Sequence, residues 1–367
     1  MTKRILLAAG GTGGHLFPAE ALAHELARRG HEVHLATDER AGRFSGSFPA
    51  TETHVVPSAT FGSRNPVAVA RALLKLWTGL RTASALLRRL KPDVTVGFGG
   101  YPSVPPVLAA TQAGWPSMIH EQNAVMGRAN RFLARRVGCI AAGIPQDKAP
   151  QELRDKIVVT GNPVRPSVLE AAKKPYRPSG SGEDFNLVVF GGSQGASFFS
   201  QVLPEAIALL DPSLRARLRV TQQARSDDEE RVRTYYADAA IPAEVSPFFA
   251  DMADRLAAAH LVISRSGAST VSELAVIGRP SILVPYPYAL DHDQAANAAR
   301  LEARGGTIVA RQADLTAERL AAILTHLANA PDEAARMADA ARATGIPNAA
   351  ELLADLVEAM PPRTARS

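Results

Sequence analysis

Short apolar runs recur along the chain, and the stretches between them carry helical spacing. Residues 4–9, 32–36, 93–97, 117–120 and 157–160 read as strands, and the second half repeats the rhythm at 186–190, 217–221, 261–264, 281–284 and 307–310. Strand and helix signals that alternate in this way predict an α/β protein whose parallel sheets carry helices on both faces. The two series, each opening on a glycine-rich turn, predict two Rossmann-like domains facing each other with a ligand between them. The expected division is 1–165 and 166–344, with a last helix at about 345–360 that could cap either domain, including by packing back on the first. Residues 173–182 are rich in Pro, Gly and Ser, as expected of a linker or exposed loop.

One predicted helix stands apart. Over residues 66–90, Val69, Leu73, Leu76, Leu80, Ala83, Leu87 and Leu90 form a helical stripe expected to face a core. Leu74, Trp77 and Leu86 fall outside it and are expected to be exposed beside Arg71, Lys75, Arg81 and Arg89. That arrangement suits either an ordinary core helix with a solvated basic face or a patch resting on anionic lipid.

The charge distribution sharpens this picture. Residues 1–165 hold 21 Lys and Arg against 11 Asp and Glu, whereas residues 166–367 hold 20 against 25. No acidic residue occurs from 53 to 92. The first half is thus suited to an anionic substrate or surface. No recognised nucleic-acid module or interleaved aromatics accompany the charge, so nucleic acid is not the expected partner. The 46 % hydrophobic and 21 % charged content is that of a soluble globular protein. The single cysteine, Cys139, excludes an internal disulfide and fits a reducing compartment. No run approaches the ~18 apolar residues of a membrane span, and the start of the chain has no secretory pattern.

Two glycine-rich turns carry the first chemical signal. Gly10-Gly11-Thr12-Gly13-Gly14-His15 and Gly191-Gly192-Ser193-Gln194-Gly195-Ala196 each follow a strand and precede a helix. Glycine lets the backbone turn sharply and approach a ligand, and amides at the following helix start favour a phosphate. Leu16 and Thr12 stand where a dinucleotide fingerprint needs glycine, and neither turn has the Gly-Lys-Ser/Thr of a P-loop. His15 closes the first turn, either as a structural hydrogen-bonder or as a general base.

Three further segments carry polar chemistry. His120-Glu121-Gln122-Asn123 leaves a strand and reads as hydrogen-bonding equipment for a polyhydroxylated ligand, with Phe98-Gly99-Gly100-Tyr101-Pro102 nearby. It is not a zinc motif, because Ala124 stands where a second histidine is required. In Ser264-Arg265-Ser266-Gly267-Ala268-Ser269-Thr270-Val271-Ser272-Glu273 a strand turns at Gly267 into a helix whose Glu273 carboxylate suits a ribose diol, or only the helix dipole. Asp291 and Asp293 superficially form a metal-diphosphate pair, although helix amides and cations can neutralise a diphosphate without metal.

Taken in order with Gly161-Asn162-Pro163-Val164-Arg165 and Gln294–Asn297, these motifs resemble the MurG family of bacterial UDP-N-acetylglucosamine–N-acetylmuramyl-(pentapeptide) pyrophosphoryl-undecaprenol N-acetylglucosamine transferases over nearly the whole chain. The resemblance implies a GT-B arrangement and inverting transfer of N-acetylglucosamine from UDP-N-acetylglucosamine to the C4 hydroxyl of lipid I, giving lipid II for peptidoglycan. It implies no cofactor, no bound metal and a peripheral enzyme at the cytoplasmic face of the cell membrane. Its donor-site residues map to Thr12, Gly13, Gly14, Asn123, Arg165, Ser193, Ala268, Glu273 and Gln294, with Phe249 contacting uracil through its backbone. His15 is the candidate base, and Arg71, Leu74, Lys75, Trp77 and Arg81 form the membrane patch. The alternatives are another nucleotide-sugar enzyme, such as a macrolide-type transferase or a UDP-sugar 2-epimerase, and a non-catalytic UDP-sugar sensor.

Overall fold

The computed structural model describes residues 2–10, 13–39, 48–59, 65–191, 197–289 and 293–363, without the side chains of 66–68 and 293. The chain forms two compact units, one of Met1–Arg165 with Pro347–Ser367 and one of Pro166–Ile346.

The first unit holds β1 (Arg4–Ala8), β2 (Glu32–Thr37), β3 (Glu52–Val55), β4 (Val94–Gly97), β5 (Ser117–Glu121), β6 (Cys139–Ala142) and β7 (Ile157–Val159). Their order is β3-β2-β1-β4-β5-β6-β7, with every pairing parallel. The second unit holds β8 (Phe185–Phe190), β9 (Leu218–Gln223), β10 (Ala243–Ser246), β11 (Leu261–Ser264), β12 (Ser281–Leu283) and β13 (Thr307–Val309). Their order is β10-β9-β8-β11-β12-β13, again all parallel. Each sheet reverses its strand order once, between β1 and β4 and between β8 and β11. In open parallel sheets a ligand binds beyond the carboxyl ends of the strands at such a reversal.

β3, β6 and β10 carried no strand signal. β3 and β10 are sheet edges with polar sequences, Glu-Thr-His-Val and Ala-Glu-Val-Ser, and β6 is only four residues, Cys-Ile-Ala-Ala.

The first core packs Leu16, Leu22 and Leu26 of the helix Gly13–Arg28 against Leu7, Val33 and Leu35. Leu353, Ala354 and Val357 of the closing helix Ala349–Glu358 complete it. A charge cluster binds that helix. Arg29 Nη1 donates to Asp355 at 2.6 Å and to Glu358 at 2.9 Å, while its Nε donates to Glu25 at 2.7 Å. The opposite face of the sheet is covered by Ala83, Leu86, Leu87 and Leu90 of the helix Pro66–Leu90.

Two expectations need correction here. Leu86 is 7 % exposed and belongs to the core, whereas Leu73, placed on the buried stripe, is 54 % exposed. Only the second half of the helix covers the sheet: a Cβ on Gly79 would lie 2.0 Å from the Pro57 carbonyl oxygen, and burial deepens from there. Residues 173–182 form the mostly exposed loop expected, and it is fastened at several points. Arg279 donates to the Lys174 carbonyl at 3.1 Å, the Tyr176 hydroxyl donates to the His260 carbonyl at 3.0 Å, and Arg217 donates to the Gly180 carbonyl at 2.7 Å. Backbone polar groups, invisible to an apolar-pattern reading, fasten this segment to the second unit.

Candidate functional site

Gly10 follows β1 and Phe98-Gly99-Gly100 follows β4, so both flank the order reversal of the first sheet. His15 stands on the first turn of the helix that starts at Gly13. Gly99 and Gly100 have φ of +85° and +70°, a region that side chains with a Cβ rarely adopt. A Cβ on Gly10, Gly99 or Gly100 would come within 3.4, 3.3 and 3.1 Å of His15 ring atoms. The glycines thus form a cradle that admits the imidazole against bare backbone. Burial pushes the His15 pKa below its ordinary 6.5, and the Gln122 side chain and Phe98 carbonyl pull less strongly upward. The ring is neutral at neutral pH, with a lone pair able to accept a proton.

The His-Glu-Gln-Asn run is mostly scaffold rather than ligand-reading surface, because β5 extends through Glu121 and buries its end. His120 Nε2 lies 3.1 Å from the Gly161 carbonyl oxygen, and Gln122 Nε2 donates to the Phe98 carbonyl at 2.9 Å. Burial pushes the His120 pKa down to about 4. The Glu121 carboxylate accepts from the Asn123 amide at 2.9 Å, the Gly127 amide at 3.0 Å and Asn130 Nδ2 at 2.9 Å. Burial raises its pKa and these bonds oppose the rise. Asn123 alone of the four is half-buried, held by Glu121 and by Gln146, whose Nε2 donates to its carbonyl at 2.6 Å. Asn130 and Gln146 were not singled out from sequence, and no motif spacing marks either. Arg165 closes the unit with its guanidinium 4.3 Å from the Phe17 ring centre.

In the second unit, β8 and β11 flank the reversal. The Gly191 amide donates to Gln223 Oε1 at 3.3 Å. Beyond β11, Gly267 caps the helix Ala268–Ile277 in an extended conformation, and Glu273 sits partly exposed on its second turn. Ser264, Ser266 and Ser269 have buried hydroxyls without a hydrogen bond among the described residues, a polar lining at the strand end. Gln294 is in the first turn of the helix Asp293–Ala303, its Oε1 accepting from the Tyr286 amide at 3.0 Å. The Arg255 guanidinium lies 4.4 Å from the Phe249 ring centre. Buried Arg265, not singled out from sequence, donates to Gln312 Oε1 at 2.6 Å and to the Val284 carbonyl at 3.2 Å, tying the loops after β12 and β13 to β11. Thr12 and Ser193 lie outside the described residues, as do Gly11, residues 192–196, Asp291 and His292.

On the helix Pro66–Leu90, Leu74 and Trp77 are 62 % and 53 % exposed, with Arg71, Lys75 and Arg81 exposed beside them. The Arg81 guanidinium lies 4.7 Å from the Trp77 ring centre. Among the described residues no helix is long and apolar enough to cross a membrane.

Two parallel-sheet α/β units, each with a glycine and a helix start at its strand-order reversal, fit the GT-B fold class. Residues 5–142 match the glycosyltransferase family 28 N-terminal domain and residues 186–353 its C-terminal domain. The chain is 64 % identical over 356 residues, 97 % of its length and 95 % of the relative's, to the UDP-N-acetylglucosamine--N-acetylmuramyl-(pentapeptide) pyrophosphoryl-undecaprenol N-acetylglucosamine transferase of Rhizobium etli (strain CIAT 652). It is 65 % identical over 357 residues, again 97 % and 95 %, to the transferase of that name from Sinorhizobium medicae (strain WSM419). The crystal structure of Acinetobacter baumannii MurG superposes with a TM-score of 0.76 at 31 % identity, over 98 % of this chain and all of that one. The chain belongs to this transferase family, MurG.

Proposed function

We propose that this protein transfers N-acetylglucosamine from UDP-N-acetylglucosamine to the C4 hydroxyl of N-acetylmuramyl-pentapeptide on undecaprenyl pyrophosphate, converting lipid I to lipid II. The observation that carries the reading is full-length similarity to transferases whose shared name states this donor and acceptor. The acceptor oxygen attacks the anomeric carbon as its bond to the UDP oxygen breaks, so the configuration inverts and no covalent sugar–enzyme intermediate forms. The C4 proton goes to His15, whose half-buried ring, with its pKa lowered by desolvation, suits a general base. Arg165 and the amides of the Gly13, Gly14 and Ser193 turns, with Thr12, take the diphosphate charge as UDP leaves. Glu273 holds the ribose hydroxyls beside Ala268, the Phe249 backbone meets uracil, and Asn123 and Gln294 read the sugar.

The first unit would hold the acceptor and the second the UDP-sugar. Leu74 and Trp77 would enter the lipid interface while Arg71, Lys75 and Arg81 meet anionic head groups, seating the enzyme peripherally at the cytoplasmic face.

The test is transfer of radiolabelled N-acetylglucosamine from its UDP donor to lipid I in detergent micelles with chelator present. A labelled product of lipid II size is expected. UDP release without labelled lipid would move the acceptor elsewhere, and bound UDP without turnover would favour a sensor.

A further inference from the structure

We propose that His34, His54 and Glu52 form a transition-metal site at the edge of the first sheet, apart from the transfer machinery, with Zn²⁺ the ion that fits it. In the β2–β3 ladder His34 lies opposite Glu52, and His54 is two residues further along β3, so all three share one face. One ligand atom from each lies within 4.8 Å of the other two. His34 Nδ1 and His54 Nε2 are 3.2 Å apart. Zinc–imidazole bonds in a tetrahedral site put neighbouring ligand nitrogens about 3.3 Å apart, so the spacing already suits one ion once the two rings turn their lone pairs onto it.

The surroundings prepare the ligands. Glu32 Oε1 is 2.9 Å from His34 Nε2, which fixes the proton there and turns the Nδ1 lone pair toward His54. On ion binding the His54 proton moves from Nε2 to Nδ1, where Glu52 Oε1 is 3.5 Å away. Both rings are buried while Glu52 is exposed, leaving one open side for a water ligand and for entry. Imidazole and carboxylate ligands together suit zinc. Arg89 opposes the ion: its Nη2 is 3.3 Å from His54 Nδ1 and 3.6 Å from Glu52 Oε1, on an exposed side chain able to withdraw. A bound ion would cross-link the four-residue edge strand β3 to β2.

Tag-free, chelator-stripped full-length protein titrated with zinc sulfate against a chromophoric zinc indicator tests the site. One equivalent should bind. His54→Gln and Glu52→Gln should each weaken binding by about tenfold or more, and Arg89→Gln should tighten it several-fold. Glu52 and Arg89 are exposed, so their variants leave the fold intact. Failure to compete with the indicator, or one equivalent bound equally well by all three variants, would overturn the proposal.

Discussion

The two sheets solve the same topological problem with different side chains. β1 and β4 end on Gly10, Gly99 and Gly100, which remove side-chain bulk so that one imidazole packs against bare backbone. Beyond β11, Gly267 leads into the helix bearing Glu273, and the Ser264, Ser266 and Ser269 hydroxyls have no hydrogen bond among the described residues. One reversal point holds a half-buried imidazole, the other a polar lining of serines beside a carboxylate-bearing helix. The difference teaches that strand order supplies a place for a ligand in each unit, while the residues at the strand ends decide its chemistry.

The sharpest way to break the comparison is at His15. His15→Ala should lower kcat by about 10²–10³-fold and leave the Kd for UDP within a few-fold, as expected for loss of a general base; equal losses in both would make His15 structural. Glu273→Gln should do the reverse, raising the donor KM by about 10-fold or more with a smaller change in kcat. Gly100→Ala probes the cradle without touching the imidazole itself. It forces a Cβ into positive φ and to 3.1 Å from the ring, so stability should fall by roughly 1–3 kcal/mol and kcat with it. Thermal unfolding and kinetics on the same sample check both.

Acidity sharpens the contrast further. With the His15 pKa held below 6.5, the acid limb of the kcat profile should have its midpoint below that value. His120 adds its own acid dependence to the stability of the fold. The folded pKa of His120 is about 4 against an ordinary 6.5, so the unfolded chain takes up a proton that the folded chain refuses as the pH drops. Its neutral burial costs nothing above about pH 6.5, and stability is lost as the pH falls from there toward 4. The smallest effect on chemistry is expected at the exposed helix. Leu74→Gln with Trp77→Gln should reduce sedimentation with anionic vesicles and leave turnover in detergent unchanged.

Much of this architecture is legible in sequence because buried parallel strands are continuous apolar runs and glycine turns mark their ends. Parallel strands such as β1, β8 and β11 announce themselves; β3 and β10 do not, since an edge strand of polar residues has no apolar pattern. Around the candidate site, the glycines beside the strand ends and the helix start before Glu273 were visible. The burial of His120, Glu121 and Gln122 was not, because a run of polar residues reads as ligand-facing until its partners are known. Those partners, Asn130 and the carbonyls of Phe98 and Gly161, come from distant positions in the chain. Leu86 and Leu73 exchanged roles for a similar reason: spacing defines a stripe, while the length of sheet beneath it decides which half is covered.

The division of labour is tested most directly by one double variant, His15→Ala with Glu273→Gln, measured for turnover and donor affinity in the lipid I assay. The account predicts the kcat of the His15 variant combined with the donor affinity of the Glu273 variant, because independent sites contribute additively. A double variant no worse than His15→Ala alone in either quantity would contradict it.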